Sequence, residues 1–175
     1  MDERKESNLN ITDYISTMVY VVRDCNLSEN IEKKYIPGMI IKENGFCDAT
    51  YIIGGMTTTH RFAILSNQFF DLSPFSNDKK GLCTTNKGAR FKILDKFSIN
   101  GKTQITLLEL PRDERWKNFQ NITYITERMM AKDARDKFAT LSIAPPLQEQ
   151  NTKALLDRLS APIGIGNDGT FSPIE

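Results

Sequence analysis

The pattern of apolar and polar residues is clearest in the middle of the chain, where residues 90–110 predict a β-hairpin. One run ends at Ile99 and leads into Asn100-Gly101, and a second run begins at Lys102. Asn-Gly is the dipeptide that a two-residue type I′ turn requires, because both central residues take positive φ. This tight turn sets the predicted register, in which the facing pairs are Ile99 and Lys102, Ile93 and Leu108, and Phe91 and Leu110.

The predicted hairpin has apolar residues on both of its faces. This pattern requires cover on both sides of the sheet, a β-bulge that shifts the register, or a surface that a partner covers. One face carries Leu94, Ile105 and Leu107, and the other carries Phe91, Ile93, Phe97, Ile99, Leu108 and Leu110.

Helical spacing of apolar residues appears toward both ends of the chain. It predicts helices over residues 10–24, 121–142 and 147–159, whereas β-branched and aromatic runs predict strands over 38–70. Strands in the middle with helices at the ends are typical of an α+β fold. We therefore expect an antiparallel sheet of about five strands built from hairpins, with the N-terminal and C-terminal helices packed on it.

The domain organisation that follows is a single globular α+β domain over residues 1–175. Residues 73–88 are polar and contain Pro, Asn and Gly, which predicts a long surface loop. Residues 1–9 are charged and polar, and we expect them to be flexible.

Composition narrows the function classes. The net charge is +1 at pH 7, so no global field attracts nucleic acid or an anionic membrane, and no apolar run is long enough to span a bilayer. Three widely spaced cysteines and one histidine do not form a zinc motif, so we expect no metal site, and reduced thiols indicate the cytoplasm. The G-x-G-x-x-G match at 164–169 has too few residues after it for the helix and strand of a dinucleotide fold, and no motif requires a cofactor.

His60 is the candidate catalytic residue, because it is the single histidine and lies on a predicted strand beside Arg61. Neighbouring residues on a strand point to opposite faces, so these two side chains do not clasp one small group without a bulge. A structural histidine that bonds a threonine is the alternative. Cys47 with His60 has the chain order of some cysteine hydrolases, but no local motif supports that activity.

A basic segment over residues 79–102 is the candidate nucleic-acid surface. It holds seven basic residues and one acidic residue. Lys92 and Lys96 share a face of the predicted strand, and phenylalanines flank them, a combination that single-stranded nucleic acid binding uses. The alternative is that these lysines protect an edge strand from pairing with other chains.

The candidate protein-binding residues are Arg112, Arg115 and Trp116, since Trp and Arg are enriched at binding hot spots. A tryptophan that anchors helices onto the sheet is the alternative. The sequence thus favours a cytoplasmic protein without catalysis of its own, such as an inhibitor, an immunity-type protein or an adaptor, with a protein partner or self-association. The second hypothesis is a nucleic-acid binding protein or small nuclease that uses the basic segment, His60 and Arg61.

Overall fold

The computed structural model of the chain describes residues 13–75, 77 and 80–174, so the predicted flexible segment 1–9 lies outside it. The helices with both ends among the described residues are α1 (Glu29–Glu32), α2 (Ile125–Leu141) and α3 (Lys153–Arg158), with short 3-10 helices at Ser73–Phe75, Glu114–Phe119 and Gln148–Gln150. The strands are β1 (Val19–Cys25), β2 (Ile40–Glu43), β3 (Cys47–Thr50), β4 (His60–Ser66), β5 (Phe70–Asp71), β6 (Leu82–Thr85), β7 (Ala89–Ile99), β8 (Lys102–Glu109) and β9 (Pro173–Ile174).

The described strands form one mixed sheet of nine strands in the order β5-β6-β3-β1-β4-β8-β7-β2-β9. The predicted antiparallel sheet of about five strands is therefore wrong. β4 and β8 pair in parallel from His60 opposite Thr103 to Leu65 opposite Leu108, and the other pairs are antiparallel. The error arose because hairpin patterns report strands that follow each other in sequence, whereas β4 and β8 are joined through a long connection.

The predicted N-terminal helix over residues 10–24 is also wrong, since among its described residues 13–24 the helix ends at residue 16 and β1 begins at Val19. Residues 21–25 are all buried, so both faces of β1 are covered. Under those conditions the apolar positions follow neither strict alternation nor a single helical face. The β-branched side chains of Val19, Val21 and Val22 then favour a strand.

The predicted hairpin is confirmed at its turn, with φ of 53° at Asn100 and 72° at Gly101. Ile99 faces Lys102 as predicted, but a β-bulge between Ile93 and Asp95 shifts the register beyond it. Ile93 therefore faces Leu107 instead of Leu108, and Phe91 faces Glu109 instead of Leu110.

The bulge explains why the hairpin looked apolar on both faces. The extra residue moves Phe91 and Ile93 onto the face of Ile105 and Leu107, and these four residues belong to one core cluster. Leu108 and Leu110 lie in a second cluster with Trp116 and Phe119, against which Leu94 packs. Both faces of the sheet are therefore covered by the chain itself.

The predicted long loop over 73–88 contains β6, whose four residues are all buried between β3 and β5. Its polar character misled the prediction, because buried threonines are tolerated when their hydroxyls are hydrogen-bonded. Thr85 Oγ1 donates to Glu109 Oε1 at 2.9 Å, and Thr84 Oγ1 donates to the Cys47 carbonyl oxygen at 3.3 Å.

The C-terminal part is partly as predicted. α2 lies within the predicted range 121–142, while the range 147–159 divides into a 3-10 turn and the short helix α3. The glycines at 164–169 form a turn closed by an Ile165–Phe171 bridge, and Ile163 is buried in the first core cluster. The rejection of a dinucleotide motif there is thus consistent with the local structure.

Candidate functional site

A cavity of about 420 Å³ lies between β7 and α2, and we call it the β7–α2 pocket. Its apolar part comes from Pro37, Leu94 and Ala131, and its ionisable lining residues are Lys92, Asp95, Glu127, Arg128, Lys132 and Arg135. Four basic and two acidic groups give the pocket a positive balance. An anionic ligand is therefore the class that its electrostatics favour.

The β-bulge in β7 shapes this pocket. The residue it inserts is Leu94, which lies in the pocket wall, and the bulge brings Lys92 and Asp95 to the side of the sheet that faces α2. Bulges are common next to active sites because they redirect side chains. The same bulge places Lys96 on the opposite side, where its Nζ donates to the Glu32 carbonyl oxygen at 3.3 Å.

A buried ion pair lies at the floor of the pocket. Lys92 Nζ lies 2.9 Å from Glu127 Oε1, and the two side chains are 4% and 1% exposed. Lys92 Nζ also donates to the Ile122 carbonyl oxygen at 2.5 Å, and the Tyr124 backbone N–H donates to Glu127 Oε2 at 2.6 Å. Oε1 accepts no hydrogen bond of regular geometry from the described residues, so its close partner is the Lys92 ammonium.

A second pair forms the wall of the pocket. Arg135 donates to both carboxylate oxygens of Asp95, at 2.6 and 3.1 Å, and its guanidinium stacks over the ring of Phe97 at 4.6 Å. The Asp95 carboxylate raises the pKa of Arg135 through this hydrogen bonding. Arg128 is exposed and, among the described residues, forms no ion pair or side-chain hydrogen bond. The guanidinium of Arg135 is thus fixed by Asp95, whereas that of Arg128 is available to bind a ligand.

Of the predicted site residues, Lys92 alone lines this pocket. Lys96 lies on the other face of the sheet, and Arg61 is fully buried in a bidentate pair with Asp24, with distances of 2.7 and 2.8 Å. The sequence reasoning missed Glu127, Arg128 and Arg135. Their positions at helical spacing on one side of α2 were the signal that could have found them.

The predicted protein-binding residues Arg112, Arg115 and Trp116 all have partners within the chain. Trp116 is buried in the second core cluster, with Arg90 stacked over its ring at 4.9 Å. Arg112 donates to Glu109 and to carbonyl oxygens of the turn at residues 86–87, and Arg115 pairs with Asp113. The burial of Trp116 agrees with the alternative of an anchor, and a binding role for Arg112 and Arg115 stays a prediction.

His60 is buried at the start of β4. Its Nδ1 accepts from the Leu27 backbone N–H at 3.2 Å and contacts Thr59 Oγ1 at 2.7 Å, while Nε2 lies 3.1 Å from Glu32 Oε2. These contacts tie α1 to the sheet. Cys47 lies in the core, and burial raises the pKa of its thiol to about 12, which disfavours the thiolate that a nucleophile requires.

The basic segment does not form one surface. Lys102 Nζ donates to the Met56 and Ser142 carbonyl oxygens at 2.9 Å each, Lys92 contacts α2 and Lys96 contacts α1. A groove that tracks a phosphate backbone needs its cations in a row along one side. The described residues therefore do not support nucleic-acid binding by this segment, and Lys79 lies outside them.

The described part of the chain holds no group of three or more His, Cys, Asp or Glu residues that could bind a metal ion. None of its helices is long and apolar enough to cross a membrane.

By sequence, the chain matches no protein-family model and no curated protein. The structure is similar to that of the ADP-ribosyltransferase HopU1 of Pseudomonas syringae pv. Tomato DC3000, with 17% identity and a TM-score of 0.48, over 53% of this chain and 45% of that one. It is also similar to exoenzyme S of Pseudomonas aeruginosa in complex with human 14-3-3 protein beta and carba-NAD, with 15% identity and a TM-score of 0.43, over 62% and 60% of the chains. A third similar structure is C3stau2 of S. aureus with NAD, with 11% identity and a TM-score of 0.45, over 64% and 74% of the chains. The match thus spans less than half of HopU1.

These findings correct the functional predictions. The similar structures include an ADP-ribosyltransferase and two proteins with NAD or its analogue bound, whereas the sequence analysis expected a protein without catalysis of its own. The inhibitor, immunity-type and adaptor hypotheses, and the nucleic-acid alternative with them, are withdrawn. The sequence does not reveal the β7–α2 pocket, because no local motif marks it and its residues come from separate elements.

Proposed function

We propose that the chain is an enzyme that binds a phosphate-bearing nucleotide in the β7–α2 pocket and transfers an ADP-ribosyl group from NAD to a protein. The observation that carries the proposal is the positive pocket itself. Its volume of about 420 Å³ lies within the range of roughly 300–1,000 Å³ that small-molecule sites have. Its partly apolar lining and its few convergent charges are also typical of such sites.

The guanidinium groups at the pocket suit a diphosphate. Arginine presents a planar fork of N–H donors that bonds phosphate oxygens in a bidentate manner. Arg128 is free to do so, and Arg135 is fixed at the wall by Asp95. The Lys92 ammonium at the floor is balanced by the Glu127 carboxylate, so the guanidinium groups are the cations available to a ligand.

The reaction gives Asp95 a role. When ADP-ribose is transferred, the bond between ribose C1′ and the nicotinamide nitrogen breaks, and nicotinamide leaves with both electrons. The ribose becomes oxocarbenium-like, the nucleophile of the acceptor bonds to C1′, and the proton of that nucleophile passes to water. A carboxylate beside C1′ stabilises the developing positive charge. Asp95 is partly exposed in the pocket wall, whereas Glu127 is buried, so Asp95 is the candidate.

The surface beside the pocket suits a protein acceptor. Ile125 and Met129 are 76% and 66% exposed on α2, next to the pocket residue Arg128. Exposed apolar side chains of this size are common in protein-binding surfaces. The partner of the chain is thus proposed to be its protein substrate, and self-association stays a prediction.

The first test is binding of NAD by calorimetry. NAD is the probe because two of the similar structures hold NAD or carba-NAD. Arg128→Ala and Arg135→Ala should each weaken binding about tenfold or more, the loss of a charge-assisted hydrogen bond. Lys117→Ala is the matched control, because it removes one positive charge from an exposed pair with Glu114 elsewhere.

The second test is transfer of label from adenylate-labelled NAD to proteins of a cell lysate. Asp95→Asn should bind NAD and lose transfer, because the amide does not stabilise the positive charge. Absence of NAD binding by the unaltered protein would overturn the proposal. Binding that Arg128→Ala and Arg135→Ala leave unchanged would remove the β7–α2 pocket from it.

We also propose that the protein acts in the cytoplasm. The described cysteines Cys25, Cys47 and Cys83 are free and buried, as expected for a reducing compartment. Fractionation of the cells that make the protein tests this location. Recovery in the medium or the membrane fraction would contradict it.

A further inference from the structure

A second cavity, of about 290 Å³, lies between α3, the start of β6 and the residues that follow β3. It shares no lining residue with the β7–α2 pocket, and we call it the α3 cavity. Its volume is close to the lower limit of roughly 300 Å³ for small-molecule sites. A ligand of the α3 cavity is therefore a small molecule.

The wall that the sheet contributes is fixed by close backbone contacts. Gly81 has φ of 74°, and a Cβ at this position would lie 2.5 Å from the Ile52 side chain. The Tyr51 backbone N–H donates to the Gly81 carbonyl oxygen at 2.9 Å, and the Gly81 N–H donates to Ser73 Oγ at 3.1 Å. Glycine at position 81 thus allows Ile52 to lie against the chain that leads into β6.

The opposite wall is α3, which is tied to the sheet on both sides. Before the helix, the buried Gln150 accepts from the Gly54 backbone N–H at 2.8 Å and donates to Asp24 Oδ2 at 3.0 Å. At the end of the helix, Arg158 Nε donates to Asp48 Oδ2 at 2.8 Å. Contacts within the chain hold both walls, so the α3 cavity is preformed, as small-molecule sites usually are.

The lining of the α3 cavity is apolar inside and charged at the mouth. Leu82 is 4% exposed, and Ile52 and Leu155 are half-buried. Lys80 and Glu149, by contrast, are exposed lining residues. This arrangement suits a ligand with an aliphatic body, which lies inside, and a charged end, which stays at the mouth.

The two charged groups at the mouth have opposite signs, and both are available to a ligand. Among the residues that the structure describes, neither Lys80 nor Glu149 has an ion pair or a hydrogen-bonded side chain, and they do not pair with each other. The third ionisable lining residue, Arg158, is already paired with Asp48. The cavity thus offers one site for an anionic group and one for a cationic group, which a zwitterion complements.

We propose that the α3 cavity binds a free α-amino acid with an aliphatic side chain, such as leucine. Its carboxylate accepts hydrogen bonds from the Lys80 ammonium, and its ammonium donates to the Glu149 carboxylate. Its side chain lies against Ile52, Leu82 and Leu155. A leucine residue inside a peptide carries neither charge, so the two charged groups select the free amino acid.

The test is a titration of the isotopically labelled protein with L-leucine, followed by amide NMR. The backbone amide signals of Ile52, Gly81 and Leu155 should shift and saturate together, because these residues lie at the walls of the cavity. The signals of Leu94 and Arg128 in the β7–α2 pocket should stay in place. No saturable shift at the α3 cavity, or equal shifts at both sites, would overturn the proposal.

Two analogues of leucine, each without one of the charges, test the zwitterion. Isocaproate lacks the ammonium and isopentylamine lacks the carboxylate, while both keep the aliphatic body. Each should bind about fivefold more weakly than leucine, which is the upper end of what an exposed ion pair contributes. An analogue that binds as tightly as leucine would overturn the proposal.

Two variants assign the ligand charges to residues of the cavity. Lys80→Met should weaken leucine binding about fivefold and should not weaken the binding of isopentylamine, which has no carboxylate. Glu149→Gln should weaken leucine binding similarly and should not weaken the binding of isocaproate. Lys153→Met is the matched control, because it removes an α3 lysine that pairs with Asp157 at the surface and does not line the cavity. Equal weakening by Lys153→Met and Lys80→Met would contradict the assignment.

Leucine binding and NAD binding concern separate sites, so the two proposals fail independently. Leucine binding at the α3 cavity without NAD binding would overturn the proposed function alone. NAD binding without leucine binding would overturn the role of the α3 cavity alone.

Discussion

Glu109 shows how one residue can hold several elements together. Its carboxylate is fully buried at the end of β8 and accepts from Ser66 Oγ at 2.6 Å, Thr85 Oγ1 at 2.9 Å and Arg112 Nη2 at 2.9 Å. These donors come from β4, β6 and the segment after β8. Burial is the largest influence on this carboxyl and raises its pKa above the ordinary value of 4.5, although the hydrogen bonds oppose the rise.

The raised pKa of Glu109 predicts a pH dependence of stability. The folded state binds the proton more tightly than the unfolded state, so the contribution of this group is fully present below its unfolded pKa and is lost as pH rises through its folded pKa. In Glu109→Gln this fall should disappear. Urea unfolding of both proteins between about pH 4 and pH 8 measures it.

The control for this prediction is Glu149→Gln, which changes an exposed carboxylate. It should keep the pH dependence of the unaltered protein. If the free energy of unfolding changed equally with pH in Glu109→Gln and in the unaltered protein, the carboxyl of Glu109 would not be the cause of the pH dependence.

The buried pair of Lys92 and Glu127 leads to a second prediction. Lys92→Met leaves a buried carboxylate without its counter-ion, which should lower the free energy of unfolding by about 3–5 kcal/mol. The double change Lys92→Met and Glu127→Gln removes both charges and should recover part of that loss. Denaturant unfolding of the two single variants and the double variant gives the coupling energy. Additive losses would contradict a direct interaction.

At the residue scale, the sequence predicts Lys92 as a binding residue, which stays a prediction, and gives no indication of its buried partner Glu127. Their side chains meet because β7 and α2 pack together, and the separation along the chain hides this contact. Arg61 and Trp116 were likewise chosen as binding candidates because of their residue type. Their burial depends on strands and helices that are far away in sequence.

At the scale of the element, the hairpin of β7 and β8 combines a predictable turn with an unpredictable bulge. Asn100-Gly101 determines the turn through local backbone preference. The bulge at Leu94 has no comparable local signature, because it satisfies the packing of two different clusters on the two faces of the sheet. The strand β1 was predicted as a helix for a related reason. Both of its faces are buried, so its apolar residues do not show the strict alternation that identifies a strand.

The turn gives a third prediction. Gly101 has φ of 72° and open space where a Cβ would lie, so Gly101→Ala adds backbone strain without a clash. The strain should lower the free energy of unfolding by about 1–2 kcal/mol. Gly101→Asn should cost less, because asparagine tolerates the left-handed region. Thermal or urea unfolding measures both, and equal losses would argue against a conformational cause.

At the scale of the whole molecule, the parallel pairing of β4 with β8 organises the fold. β1 lies on one side of this pair and β7 on the other, and these four strands form the centre of the sheet. The two-residue strands β5 and β9 lie at its edges. Backbone amides at the centre are therefore covered by neighbouring strands and by both core clusters.

This arrangement gives a fourth prediction, for native-state hydrogen exchange. Amides of β4 and β8 should exchange only through global unfolding, whereas those in and beside β5 should exchange through local opening. Exchange measured at increasing denaturant separates the two cases. Faster exchange in β8 than in β5 would contradict the central position of the parallel pair.

The sequence by itself determined the features that depend on neighbouring residues: the type I′ turn at Asn100-Gly101, the strands on either side of it and the helix within 121–142. Only the tertiary structure decided the nine-strand order, the parallel pairing, the bulge at Leu94 and the burial of Glu109. These features depend on contacts between residues far apart in the chain. The free energy that stabilises these features comes from packing apolar side chains on both faces of the sheet. A short segment of the sequence does not contain the residues that take part in this packing.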